Sequence, residues 1–147
     1  MAKTWTIVAN RKGAKIFEGT GIGDTLRFLE DLPNPDGRLH NRDFAHDKPG
    51  RTFDSAGQGR HGVGQQIEPT EQNGIDFARE IAGYLEQARV NHAFDRLILV
   101  AESQTLGRIR AALTTGVQGL IVSSLDKDIL DFPTDKITAE IASHIKL

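Results

Sequence analysis

The chain has 147 residues, 38% hydrophobic and 26% charged, with a formal net charge of −2. That length suits one domain able to bury roughly two-thirds of its unfolded surface, and the near-neutral balance excludes a protein that grips nucleic acid over its whole surface, though not a local basic patch. The absence of cysteine removes disulfides, thiol nucleophiles and thiolate metal sites together.

The N-terminus, Met1 to Asn10 followed by Arg11 and Lys12, lacks the apolar stretch of roughly 7–15 residues and the cleavage site of a secretory signal. The longest purely apolar run, Leu97 to Ala101, falls far below the roughly 20 residues that span a bilayer. A cytoplasmic protein without membrane contact is the expectation.

Thr4–Asn10 and Ala14–Gly19 are β-rich runs separated by Arg11-Lys12-Gly13, where Gly13 can supply positive φ for a tight turn. Thr25–Leu32 sets Leu26, Phe28 and Leu29 against Arg27 and Glu30 and reads as a third strand, stopped by Pro33, Asn34 and Pro35. Residues Pro33–Glu68 then carry neither helical nor strand periodicity. They hold six glycines, five acidic and five basic residues. A loop this long inside a compact domain is usually functional or disordered.

Pro69 suits the first position of a helix. Ile75, Ala78, Ile81, Ala82, Leu85 and Ala88 continue it at three-and-four spacing. Leu97–Ala101 reads as a strand covered on both faces. Ser103 is expected to cap a second helix bearing Leu106, Ile109 and Leu113, which Gly116 ends. Gly119–Ser123 reads as a last strand, and Ile137, Ile141 and Ile145 as the face of a final helix after Pro133. The order β-β-β-loop-α-β-α-β-α, with right-handed crossovers, predicts an α/β fold: one domain over residues 1–147, a mixed five-stranded sheet with helices on both faces.

Several strings, in order along nearly the whole chain, resemble the host-attachment protein family: Trp5–Ala9 with Ala14–Phe17, Asp47–Ser55, Gly59-Arg60-His61, Phe77-Ala78-Arg79, Leu97–Ala101, Leu106–Arg110 and Asp126-Lys127-Asp128. One departure is Asn10, where relatives typically carry aspartate. The family name implies an effect on attachment to host cells, which an intracellular regulator can produce indirectly. The resemblance implies that the fold is ribonuclease-H-like. The family's architecture is in turn similar to the middle domain of archaeal and eukaryotic class I release factors, which carries a glycine-glycine-glutamine loop to the peptidyl-transferase centre. Arg60, His61, Gly62, Gly64 and Gln65 follow that loop's pattern with one glycine missing.

That resemblance implies roles. Gly64 would let the backbone approach the tRNA end, and the Gln65 N–H would stabilise the oxyanion of ester hydrolysis. Arg42, Lys48, Arg51, Arg60, His61 and Gly62 would contact the nucleic acid, the cations through salt-sensitive phosphate contacts. The partner would be a ribosome or tRNA, and no codon-reading domain is visible, so the chain is no complete release factor. The alternatives are a non-enzymatic module that binds a protein, and a small-ligand binder at the Ala101–Gln104 strand end. Asp47 and Asp54 read as structural anchors of the loop.

Other chemistries find less support. His40, His46 and His61 with Asp43 and Asp47 match no metal-ligand spacing, and no cofactor or metal is expected. Gly57–Gly62 contains a glycine-x-glycine-x-x-glycine string outside the strand-to-helix context that dinucleotides require. Neither Ser103 nor Ser123 sits in a nucleophile elbow, and Arg108 and Arg110, about 200° apart on a helix, cannot easily face one ligand. Nothing in the residues specifies an oligomeric state.

Overall fold

The structure, a computed structural model, describes residues 2–20, 25–38 and 67–144. Five strands form one sheet in the order β3-β2-β1-β4-β5: β1 (Thr4–Asn10), β2 (Gly13–Gly19), β3 (Arg27–Pro33), β4 (Arg96–Ala101) and β5 (Ile121–Asp126). The first three pair antiparallel, while β4 runs parallel to both β1 and β5. Helix α1 (Pro69–Val90) links β3 to β4, α2 (Ser103–Ala112) and the short α3 (Thr115–Gln118) link β4 to β5, and α4 (Thr134–His144) follows. This is the mixed sheet with helices on both faces that the sequence predicts.

Alternation along the central strands builds two cores. Trp5, Ile7 and Ala9 of β1 with Leu97, Leu99 and Ala101 of β4 pack against Phe77, Ile81, Leu85 and Ala88 of α1 and Ile109 of α2. The opposite residues, Val8, Ile98 and Val100, meet Ile137 and Ile141 of α4. All seven residues of β1 are buried, because β2 and β4 flank it and helices cover it front and back. Each large apolar side chain buried this way contributes roughly 1.5–3 kcal/mol.

Several boundaries differ from expectation. Arg11 and Lys12 alone make the β1–β2 turn, and Gly13 pairs with Asn10 inside the ladder. Its φ lies outside the left-handed region; glycine serves there because an added Cβ would meet the Leu32 carbonyl at 3.0 Å. Among the described non-glycine residues, His92 alone has positive φ, at 57°. It closes α1 with its N–H bonded to the Arg89 carbonyl and the Ala93 N–H to the Ala88 carbonyl, a Schellman ending. The third strand starts two residues later than predicted and ends one later, at Pro33, and Pro35–Arg38 adds a turn of 3-10 helix inside the stretch read as irregular.

Ser103 does not cap α2. Glu102 does, its carboxylate accepting the Thr105 N–H at 3.2 Å, which leaves Ser103 as the first helical residue. Nor does Gly116 end that helix: α2 stops at Ala112, and Gly116 lies within α3, capped by the Thr114 hydroxyl. Residues Gly119 and Leu120 are spent on the turn out of α3, so β5 starts at Ile121 and continues to Asp126, opposite Ala101. Ile145, expected on the last helix, lies outside the described residues.

Arg89 ties the end of α1 to this turn. Its guanidinium lies over Gly116, where an added Cβ would come within 2.8 Å of it, and bonds both oxygens of Glu86 at 2.9 Å. Glu86 also accepts the Thr114 hydroxyl at 2.8 Å. The Arg89 bonds first, and the Thr114 bond next, hold the Glu86 carboxyl down from 4.5 to about 2. A lowered folded-state value contributes stability that is present above the unfolded value and lost as pH falls toward the folded one. Urea midpoints measured between pH values of about 4.5 and 2 should therefore fall more steeply for the wild type than for Glu86→Gln; parallel curves would refute the assignment.

Candidate functional site

Strands β1, β4 and β5 are parallel, so their C-terminal ends share one edge of the sheet. Ligands of α/β sheets collect at such edges. The residues that leave the strands here are Asn10, Arg11 and Lys12 from β1, Glu102, Ser103 and Gln104 from β4, and Lys127 and Asp128 after Asp126 of β5.

On the α4 side this edge is internally paired. The buried Asn10 amide donates to Asp128 Oδ1 at 3.0 Å, and its oxygen accepts the Lys12 N–H at 2.7 Å. Lys12 Nζ reaches Asp131 at 2.8 Å and Lys127 Nζ reaches Glu140 at 2.7 Å. The Ser103 hydroxyl donates to Asp126. Lys127, with other nearby cations adding less, holds the Glu140 carboxyl below its ordinary value. Asp126 is the partner of the Ser103 hydroxyl among the described residues. Among the described residues no three His, Asp or Glu side chains converge as a metal ion requires.

The α1 side is different. Arg11, Glu68, Thr70, Glu71, Gln104 and Arg108 line a polar cleft of about 290 Å³ between the start of α1 and the first turns of α2. Arg11 is carried on the β1–β2 turn, whose carbonyls are clamped by Asn34: its amide donates to the Arg11 carbonyl at 2.8 Å and its N–H to that of Lys12 at 2.9 Å. Asn34 and Asn73 exchange amide bonds at 2.9 and 3.2 Å, fixing the turn to α1. Among the described residues, the buried Arg11 Nε and Nη2 have no hydrogen-bond partner, and neither does Glu102 Oε1 at the same edge. An ion or dipole desolvated without a partner costs a few kcal/mol or more, so a guanidinium in this state is prepared for an acceptor.

Arg108 reaches the cleft by crossing α1 at Gly74, where an added Cβ would stand 2.1 Å from its Nη1. It also borders a second, more apolar cleft of about 260 Å³ with Ile75, Arg79, Ala111 and Ala112. Arg110 turns away to the Ser124 hydroxyl at 2.5 Å, so the divergence expected of this pair is observed. Helical spacing separates Arg108 from Arg110 but gives no sign that Arg108 shares a cleft with Arg11. For Arg11 the available signal, a cation straight after a buried strand end, is also ordinary turn chemistry.

The residues assigned to the release-factor-like string and its phosphate contacts, Arg42, Lys48, Arg51, Arg60, His61, Gly62, Gly64 and Gln65, lie outside the described residues, as do His40, His46, Asp43, Asp47 and Asp54. The described chain leaves at Arg38, directly after Gly37 packed on Arg11, and returns at Ile67, beside Glu68 of the cleft. No helix among the described residues is long and apolar enough to cross a membrane.

Residues 5–141 match the family described as proteins required for attachment to host cells, and the chain belongs to that family. No curated protein matches it. Solved structures similar to it include an archaeal protein at 11% identity and a TM-score of 0.45, and an archaeal translation termination factor at 10% identity and the same TM-score. Each similarity covers 96% of this chain, which spans only 36% and 37% of those two structures.

Proposed function

We propose that this host-attachment family member acts in the cytoplasm as a translation-associated factor, engaging tRNA or ribosomal RNA at the edge formed by the ends of β1 and β4. The observation that carries this reading is the Arg11 guanidinium, whose buried Nε and Nη2 have no partner among the described residues, in a cleft shared with Arg108. Guanidinium groups are well suited to phosphate oxygens, and contacts of this kind carry no sequence preference. The described chain stops just after Gly37, which packs on Arg11, and resumes just before Glu68 of that cleft. In this proposal residues 39–66 bring Arg42, Lys48, Arg51, Arg60, His61 and Gly62 to the same nucleic acid. Gly64 and Gln65 meet the peptidyl ester, the Gln65 N–H facing the oxyanion of a hydrolytic step. An altered supply of surface proteins would then connect translation to attachment.

Co-sedimentation with ribosomes tests the proposal. Binding should fall steeply between about 50 and 200 mM salt, as phosphate contacts do, and should be lost in the Arg11→Gln, Arg108→Gln double variant. Absence of binding, or binding indifferent to salt and to both substitutions, would remove it.

A second reading, a non-enzymatic protein-binding module, is favoured by β5. This strand lies at the edge of the sheet, carries no charge from Ile121 to Leu125, and leaves Val122 40% exposed. Open, uncharged edges accept a partner strand. A stable complex with one protein, unaffected by salt or by Gln65→Ala, would select this reading instead.

A further inference from the structure

We infer that the cleft between Arg11 and Arg108 is a binding site for a single nucleotide unit, with the phosphate on the two guanidinium groups and the sugar or base donors on Glu68 and Glu71. This deepens the proposed function and rests on the same reading of the edge as a ligand site.

The lining itself selects the ligand. Two guanidinium groups at one small cleft match a phosphate group, which accepts several N–H bonds at once. Among the described residues Arg11 has two buried donors without an acceptor, and no carboxylate forms an ion pair with Arg11 or Arg108. Glu68 and Glu71 nevertheless line the same space. A bare anion placed there meets two carboxylates as well as two cations. A ligand whose anion is joined to hydroxyl or amine donors satisfies both halves, and one that lacks the donors is rejected by the carboxylates. Gln104 adds an amide able to donate to one and accept from the other. At about 290 Å³ the cleft stands at the lower end of ligand sites, roughly 300–1,000 Å³, which suits one nucleotide unit better than a larger ligand. Glu68, the N-cap of α1, makes no side-chain capping bond, so its carboxylate is not committed to the helix.

Titrating the full chain with adenosine 5′-monophosphate, adenosine and inorganic phosphate, followed by calorimetry and amide NMR shifts, tests the inference. The nucleotide should bind saturably and at least about tenfold tighter than either fragment, about 1.4 kcal/mol. Arg108→Gln should weaken it at least about tenfold, and Glu71→Gln should narrow its advantage over phosphate. Because changing Arg11 could disturb the hairpin, Gly74→Ala provides an independent arm: it displaces the Arg108 guanidinium while keeping every charge, and should weaken the nucleotide alike. Equal affinity for nucleotide and phosphate, no saturable binding, or binding unmoved by Arg108→Gln and Gly74→Ala would overturn the inference. Nucleotide binding without ribosome association would leave this site standing and remove the proposed function. Ribosome association without nucleotide binding would do the reverse.

Discussion

Alanine at position 37 is expected to lower the thermal midpoint by roughly 5–10 °C, corresponding to a loss of about 2–3 kcal/mol. A Cβ built on Gly37 stands 1.7 Å from the Arg11 carbonyl oxygen, 2.7 Å from its carbon and 2.9 Å from the Asn34 amide nitrogen. The obstruction is backbone, so no rotamer change relieves it. The Arg11 carbonyl is also the acceptor of the Asn34 amide, so the 3-10 turn and the β1–β2 turn must separate together. The damage should reach function, because Arg11 rides on that turn: ligand affinity at the cleft should fall in molecules that remain folded. Gly83→Ala is the control. Gly83 is exposed in the middle of α1 with nothing within 4 Å of an added Cβ, and alanine there should add about 0.5–1 kcal/mol. Equal midpoints for wild type and Gly37→Ala would contradict the packing described at this edge.

The second large effect concerns Asn10, which is 6% exposed. Its amide nitrogen donates to Asp128 at 3.0 Å while its oxygen accepts the Lys12 N–H. Asn10→Asp keeps the acceptor and replaces the donor with a second anion facing Asp128. Repulsion and the lost bond should cost about 2–3 kcal/mol at neutral pH. Like charges raise the folded-state pKa of the pair above its unfolded value, so the penalty is greatest at high pH and relieved as pH falls through the raised value. Chemical denaturation from pH about 8 to about 4 should show the deficit shrinking toward acid. Adding Asp128→Asn restores a donor across the same gap and should recover most of the loss. A deficit independent of pH, or no recovery in the double variant, would show that the Asn10–Asp128 bond does not matter.

How much of this was legible in the sequence varies along the chain. Thr4–Asn10 and the 3.6-residue periodicity from Ile75 to Ala88 were unambiguous, because both elements are decided by burial, which residue hydrophobicity reports directly. The crossovers between β3, β4 and β5 then fixed which strands are parallel, and with them the edge where the cleft lies. Details that depend on one side chain meeting one backbone group were not readable. Glu102 caps α2 in place of Ser103 although serine is the commoner cap, since the Ser103 hydroxyl is turned to Asp126. The last strand shifted because Gly119 and Leu120 serve the turn after α3. The cleft was least visible. Arg11, Gly37, Gly74 and Arg108 are far apart in the chain, and neither glycine advertises the carbonyl or guanidinium that needs its missing Cβ.

The most direct test of the functional account is release of a labelled peptidyl group from stalled ribosomes and from free peptidyl-tRNA, comparing wild type with Gln65→Ala, Gly64→Ala and Arg108→Gln. The account predicts release by the wild type that drops at least about tenfold, a barrier increase of about 1.4 kcal/mol, in each variant. No release above background on either substrate would contradict it and leave a binding protein with this fold.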